Sequence, residues 1–182
     1  MHVRNLQQMI GLPVLLDSGK RVGRIQDIGF DEFWRLSCLV LDTKVWFRRA
    51  VRIVKWDDVA ICGEDAVIIR RPGSVATIRR SELLRTFQTG IVQLKELPVV
   101  TVDGQELGRV SDVYFRKSEG TQMIGYELTD GFLADVFEGR RRLVFPDGPE
   151  GVTLGEDAIL VPASCDRVLE REPTRKVTGE KR

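Results

Sequence analysis

The chain has 182 residues, of which 42% are hydrophobic and 30% charged, an ordinary composition for a globular protein. Its formal net charge of +1 gives no whole-chain signal for nucleic acid. No stretch approaches the roughly 20 apolar residues of a membrane helix, and the first residues lack the apolar core of a signal peptide. We therefore expect a cytoplasmic protein without membrane insertion.

Taken in chain order, the first informative segment covers residues 12–30, and it returns over residues 97–115. One constant offset aligns five residue pairs: Pro13 with Pro98, Gly19 with Gly104, Gly23 with Gly108, Arg24 with Arg109, and Asp27 with Asp112. A second echo follows in residues 63–69 and 155–161. A repeat of this length predicts a duplicated small domain, whereas a catalytic site rarely needs two near-copies.

Each copy contains short apolar runs that are separated by turn residues. Val14–Leu16 precedes Asp17-Ser18-Gly19, and Val99–Val102 precedes Asp103-Gly104. Ser-Gly and Asp-Gly supply the positive backbone angles of tight hairpins, which also explains Asp17-Ser18-Gly19 without a protease site. Five or six such runs per copy predict an all-β fold of two small antiparallel barrels in tandem.

The repeated residues are interpreted as structural. Gly23 and Gly108 fall just inside a strand pattern, where glycine marks a bulge or a sharp bend. Asp27 and Asp112 are each expected to accept backbone or arginine hydrogen bonds at that bend. The alternative, that the repeated acids and arginines form a charged surface for a partner, stays open.

The segment between the copies predicts a short amphipathic helix that begins near Ser81, because apolar residues recur at Leu83, Leu84 and Phe87. The domain boundaries that follow are residues 1–71 for the first barrel, 72–88 for the helical connector, 89–166 for the second barrel and 167–182 for a charged tail. The second copy also has a longer loop around Phe132–Gly151, rich in glycine and proline.

The two halves differ in charge. Residues 1–93 carry 15 Lys and Arg against 10 Asp and Glu, whereas residues 94–182 carry 13 against 17. Opposite signs could help the halves dock or align chains head to tail, so a homo-oligomer stays open. Drift of surface charge after duplication is the alternative explanation.

The chemistry-bearing residues indicate no enzyme. The three cysteines have no CxxC spacing, His2 is the single histidine, and no phosphate-binding glycine motif occurs. We therefore predict no catalytic residue, no metal and no cofactor. Two clusters form a candidate partner surface. The first consists of Trp46, Phe47, Arg48, Arg49 and Arg52, and its mixture of aromatic and basic residues also suits RNA. The second consists of Arg140, Arg141 and Arg142. Charged edge strands that discourage aggregation are the other interpretation.

The repeated motif resembles the PRC-barrel family, which includes the cytoplasmic domain of the photosynthetic reaction centre H subunit and the C-terminal domain of the ribosome maturation factor RimM. The motif, in both copies, is a proline-valine pair, a turn glycine, a Gly-Arg step and an acid. The resemblance implies small β-barrels, a binding role and no shared catalytic residues. We therefore expect a non-catalytic protein-binding or assembly module whose partner is an unidentified protein. The alternative is a ribosome- or RNA-associated maturation factor.

Overall fold

The computed structural model describes residues 3–33, 35–42, 49–116, 123–130, 141–145 and 150–171. Within these ranges, no helix has the length and apolarity needed to cross a membrane. Strands of the N-terminal half are β1 (Val3–Asn5), β2 (Pro13–Leu16), β3 (Arg21–Phe30), β4 (Leu36–Leu41), β5 (Ala50–Lys55), β6 (Val59–Cys62), β7 (Val67–Ile69), β8 (Val75–Arg79) and β9 (Arg85–Thr86). The C-terminal half has β10 (Val92–Gln93), β11 (Pro98–Thr101), β12 (Glu106–Arg116), β13 (Met123–Thr129), β14 (Arg141–Val144), β15 (Thr153–Leu154), β16 (Ile159–Val161) and β17 (Glu170–Arg171).

Each repeat builds one sheet, and equivalent strands follow the same order. The first sheet runs β6-β7-β2-β3-β4-β5-β8 and the second runs β15-β16-β11-β12-β13-β14-β17. The predicted β-rich class and the duplication are confirmed. The outer strands β6 and β8 are not paired with each other among the described residues, so closure of the barrels stays a prediction.

The expectation of purely antiparallel sheets is wrong at an equivalent point in each repeat, and β9 and β10 also pair in parallel. β2 pairs with β7, and β11 with β16, in parallel. The reason is that a 3-10 turn at Trp56–Asp58 carries the chain from β5 into β6 without reversing it. After the single β6–β7 hairpin, β7 therefore runs in the direction of β2.

The sheets are curled by irregularities at equivalent places. The β2–β3 and β11–β12 registers shift after Val14 and Val99. The registers of the next strand pairs shift just before Asp27 and Asp112. Because a bulge bends its strand and increases its twist, matched bulges give both sheets the same curvature.

The predicted connector helix is wrong. Residues 72–88 form β8 and β9, with 3-10 turns at Pro72–Ser74 and Arg80–Glu82, and β8 pairs with β5. Strand pairing overrides the helical pattern here because Val75, Thr77 and Ile78 suit an edge strand. Leu83 does not belong to a helix stripe. It is 4% exposed and packs in a small apolar cluster with Cys38, Val40, Val51 and Ile53.

One continuous apolar cluster joins the two repeats. It includes Leu6, Ile28 and Leu39 from the N-terminal half and Tyr126 and Ile159 from the C-terminal half, each fully buried. Burial of this kind is the main favourable term in folding, and here both repeats contribute to the same core.

The first residues of the predicted tail, 167–171, have a described structure. Ala163–Val168 is a 3-10 helix, and β17 adds to the edge of β14. The tail beyond residue 171 lies outside the described residues, as do residues 131–140 and 146–149 of the predicted Phe132–Gly151 loop.

Candidate functional site

Each repeat is preceded by a short segment that pairs with the other repeat. The first leader, residues 3–8, adds β1 to β12 with Asn5 opposite Tyr114. The second leader, residues 85–89, adds β9 to β3 with Thr86 opposite Gly29. Gly29 and Tyr114 are equivalent under the repeat, so the two leaders occupy the same place on opposite repeats. The halves are therefore interlocked by a reciprocal exchange.

Asp27 binds the second leader. Its fully buried carboxylate accepts hydrogen bonds from Thr86 Oγ1 (2.7 Å), Thr89 N (2.7 Å) and Thr89 Oγ1 (2.7 Å). Gln88 N (3.0 Å) and Ile28 N (2.8 Å) also donate to it. Two backbone amides and two hydroxyls of one turn thus converge on a single carboxylate, which holds that turn against β3.

Asp112 binds the first leader in the same way but with fewer contacts. Its Oδ1 accepts from Gln7 N (3.1 Å) and from Val113 N (2.7 Å). The Gln7 side chain also donates to the carbonyl of Ser111 (2.8 Å). Burial, with a smaller contribution from the charge of Glu127, raises the pKa of Asp112 to about 6. The first leader is therefore held by a carboxylate whose negative charge is costly.

Arg24 and Arg109 hold the entry to each repeat. Arg24 donates to the carbonyl of Gly11 (2.8 Å), and Arg109 donates to the carbonyl of Glu96 (3.2 Å). Both acceptor residues have left-handed backbones, with φ of 86° at Gly11 and 67° at Glu96. Glutamate is strained in this conformation whereas glycine is not, so the second copy carries a strain that the first avoids.

The remaining motif residues shape turns and close approaches. Gly19 and Gly104 have φ of 80° and 94° in the hairpins that join β2 to β3 and β11 to β12. A Cβ atom at Gly23 would lie 2.9 Å from Asp42 Oδ1, and one at Gly108 would lie 3.1 Å from Asp130 Oδ1. Pro13 and Pro98 pair with the motif arginines across these hairpins: Pro13 with Arg24 and Pro98 with Arg109.

The described members of the predicted partner surface lie at β5 of the first sheet and on β14 of the second. Arg49 is exposed at the start of β5, whereas Arg52 is half-buried and donates to the carbonyl of Val22 (3.0 Å). Arg141 makes an ion pair with Asp130, and the guanidinium of Arg142 lies 4.7 Å from the Tyr114 ring centroid. Four members of the predicted surface lie outside the described residues: Trp46, Phe47, Arg48 and Arg140.

The second sheet contains a buried polar network whose central acid stands where the first sheet has an apolar residue. Glu127 is 6% exposed and accepts from Tyr114 Oη (2.9 Å) and Ser111 Oγ (3.1 Å). Burial raises the pKa of Tyr114 to about 12, so its hydroxyl stays a donor at neutral pH. Strand register places Val40 of the first sheet at the position of Glu127. The two repeats therefore differ in the polarity of their buried residues at this position.

The leaders were missed in the sequence because they repeat at a different offset from the main motif. Arg4-Asn5-Leu6-Gln7 matches Arg85-Thr86-Phe87-Gln88, and the distance to the following Leu-Pro is four residues longer in the second copy. The pattern Arg, a polar residue, a large apolar residue and Gln is the signal that could have revealed them. Leu6 and Phe87 are both fully buried, which is the reason for the apolar third position.

The described residues hold no group of three or more His, Cys, Asp or Glu side chains arranged for a metal ion. No disulfide joins Cys38, Cys62 or Cys165. Burial raises the pKa of the Cys38 thiol, which disfavours its reactive thiolate form.

Comparison of the sequence with known proteins gives a match to one family and similarity to one relative. The sequence matches the PRC-barrel domain twice, over residues 1–75 and 90–168. It is also similar to the uncharacterized protein YrrD of Bacillus subtilis (strain 168), with 24% identity over 144 residues, which cover 78% of each chain.

Proposed function

Because the chain belongs to the PRC-barrel family, with two copies of the domain, we propose that it is a non-catalytic protein-binding and assembly module. The proposal places it in the cytoplasm, where cysteines that form no disulfide stay reduced. Its catalytic inactivity is supported by the use of the repeated acids. Asp27 and Asp112 bind backbone amides of the leaders and so serve the architecture of the protein.

The observation that carries the proposal is an exposed apolar patch at one end of the first sheet. The connector patch consists of Phe33, Leu84 and Ile91, which are 62%, 61% and 65% exposed. Ile91 N donates to Leu83 O (3.0 Å), which places Ile91 beside Leu84. Grouped exposed apolar residues are typical of protein-binding surfaces.

Strand register brings Phe33 to the same end of the sheet. Arg85 lies opposite Phe30, so Leu84 comes next to Asp31 in the β3–β4 turn that carries Phe33. The guanidinium of Arg35 lies 5.8 Å from the Phe33 ring centroid. The rim of the patch carries charges of both signs, because Asp31 and Glu32 lie in the same turn as Arg35; an apolar anchor with polar flanks on a partner would fit it.

The patch is preorganised by the Asp27 carboxylate. Thr86 and Thr89 lie between Leu84 and Ile91, and both are bound to this acid. Binding then requires little ordering of the connector, which removes part of the entropic cost of association.

A ribosome- or RNA-associated role is the second candidate. The excess of Lys and Arg over Asp and Glu in residues 1–93, 15 against 10, favours it. Self-association is a further outcome to be distinguished by the experiment.

The test is affinity capture with the full chain, its L84S/I91S variant and the control I61S. Ile61 is 61% exposed on β6, away from the connector patch, so the control loses a similar side chain elsewhere. Thermal melting establishes that all three are equally folded. We expect one defined protein to bind the wild type and I61S but not L84S/I91S. The purified partner should show the same preference when it is mixed with each purified variant.

Three outcomes would contradict the proposal. Equal capture by L84S/I91S and the wild type would remove the connector patch as the binding surface. Capture of ribosomal components that are lost when the sample is treated with RNase would support the RNA-associated role. Capture of the chain alone would indicate self-association.

A further inference from the structure

A cleft of about 590 Å³ lies beside the first sheet. The described residues that line it are Arg49, Arg79, Arg80 and Ser81. β5 begins and β8 ends at this point, because Ala50 pairs with Arg79 and Arg80 N donates to Arg49 O (2.8 Å). Backbone pairing thus brings Arg49 to the same opening as Arg79 and Arg80, which follow it by about thirty residues in the sequence.

The cleft arginines, Arg49, Arg79 and Arg80, are exposed and make no ion pair with any residue in the described ranges. The nearest acid along the chain is Glu82, whose carboxylate accepts from the backbone N–H of Arg79 (2.9 Å). Three positive charges are therefore held close together, an arrangement that a bound anion stabilises.

Four other arginines of the described chain make structural contacts. Arg24, Arg52 and Arg109 donate to backbone carbonyls, and Arg141 is paired with Asp130. Arg141 of the second sheet occupies the position of Arg52 in the first sheet. In the second sheet the charge of this arginine is neutralised by Asp130. The uncompensated arginines belong to the first sheet.

The chemistry of the cleft selects phosphate. Each guanidinium offers a planar set of N–H donors that matches phosphate oxygens in pairs, and the Ser81 hydroxyl adds a donor. Three positive charges match the two to three negative charges of a diphosphate. The volume of about 590 Å³ lies within the range of about 300–1,000 Å³ for small-molecule sites.

We propose that the cleft binds a small phosphorylated molecule of nucleotide size that carries at least two linked phosphate groups. This site goes beyond the assembly function and does not depend on it, because the cleft and the connector patch consist of different side chains. A small ligand is favoured over RNA because the described arginines surround one opening and do not continue as a track along the sheet.

The experiment is isothermal titration of the full chain with inorganic pyrophosphate, with ADP and with a single-stranded RNA of twelve nucleotides. The variant R49Q/R80Q removes two cleft charges and keeps the backbone bond between these residues. The control R71Q removes an exposed arginine that follows β7, near the other end of β5. Melting curves of all three proteins establish that they are folded.

We expect pyrophosphate and ADP to bind the wild type and R71Q, and to bind R49Q/R80Q at least about tenfold more weakly, since each lost charge-assisted contact weakens binding severalfold. Binding should also weaken with added salt. Equal affinity of R49Q/R80Q and R71Q would overturn the proposal. So would binding of the RNA without binding of pyrophosphate or ADP, which would assign the arginines to RNA.

Discussion

Replacement of each repeated acid by asparagine tests the reciprocal exchange, because the two substitutions should differ in effect. Asp27 accepts on both carboxylate oxygens, with Ile28 N and Gln88 N on Oδ1 and Thr89 N on Oδ2. An amide replaces one oxygen by an N–H donor. Whichever way the amide of D27N is turned, that donor faces a backbone N–H that cannot change its role.

The magnitude follows from the bonds that are lost. A hydrogen bond to a charged group contributes about 1.5–3 kcal/mol, and a buried amide left without an acceptor costs a similar amount. The hydroxyls of Thr86 and Thr89 can rotate, so they recover part of the loss. We expect D27N to lower the free energy of unfolding at pH 7 by about 3 kcal/mol, which is a large part of the stability of a typical domain.

D112N is the matched substitution and should be nearly neutral at pH 7. Gln7 N and Val113 N both donate to one oxygen of Asp112, so an asparagine can keep its carbonyl there. Removal of the charge also removes the desolvation that raises the pKa of Asp112 to about 6. These two effects oppose each other, and we expect a change within about 1 kcal/mol.

Urea unfolding at pH 7, with the m-value as a check for two-state behaviour, measures both variants against the wild type. The reasoning would be refuted if D112N lost as much stability as D27N. It would also be refuted if D27N unfolded like the wild type, because the leader turn would then not depend on the carboxylate.

Three further measurements test other parts of the structure. The pKa of Asp112 is raised from 3.8 to about 6, so protonation stabilises the fold. Relative to D112N, the wild type should gain about 2.4 kcal/mol of unfolding free energy as the pH falls from 7 to 4, and parallel pH profiles in urea would exclude this. E96G removes the strain of a non-glycine residue with a left-handed backbone and should raise the free energy of unfolding by about 0.5 kcal/mol. The relief of strain, about 1–2 kcal/mol, exceeds the cost of the greater entropy of the unfolded chain, about 0.4–1 kcal/mol. A lower melting temperature of E96G would contradict this prediction. In G125A a Cβ atom would lie 2.2 Å from Leu143 O, so its melting temperature should fall steeply, while the control G73A, with nothing within 4 Å, should melt like the wild type; equal melting of the two would show that β13 and β14 can separate.

The local features of the fold were predictable because they depend on neighbouring residues. Gly19 and Gly104 occupy the positive-φ positions of hairpins, as Ser-Gly and Asp-Gly sequences indicate. The connector was not predictable from its apolar spacing, because Leu83 packs on a distant sheet and β8 finds a partner in β5. Local periodicity shows which side chains share a face but does not show which neighbour covers that face.

The chain by itself determined the duplication, the β class, the turns and the identity of the paired acids. Residue types at fixed spacing indicate these features, and each feature has a local physical cause. Only the tertiary structure decided what the acids bind and which arginines stay uncompensated. Asp112 meets Gln7, and Asp27 meets Thr89, through backbone amides that every residue carries. A contact made to the backbone across such a distance leaves little trace in the sequence, so the exchange between the repeats becomes visible only when the chain is folded.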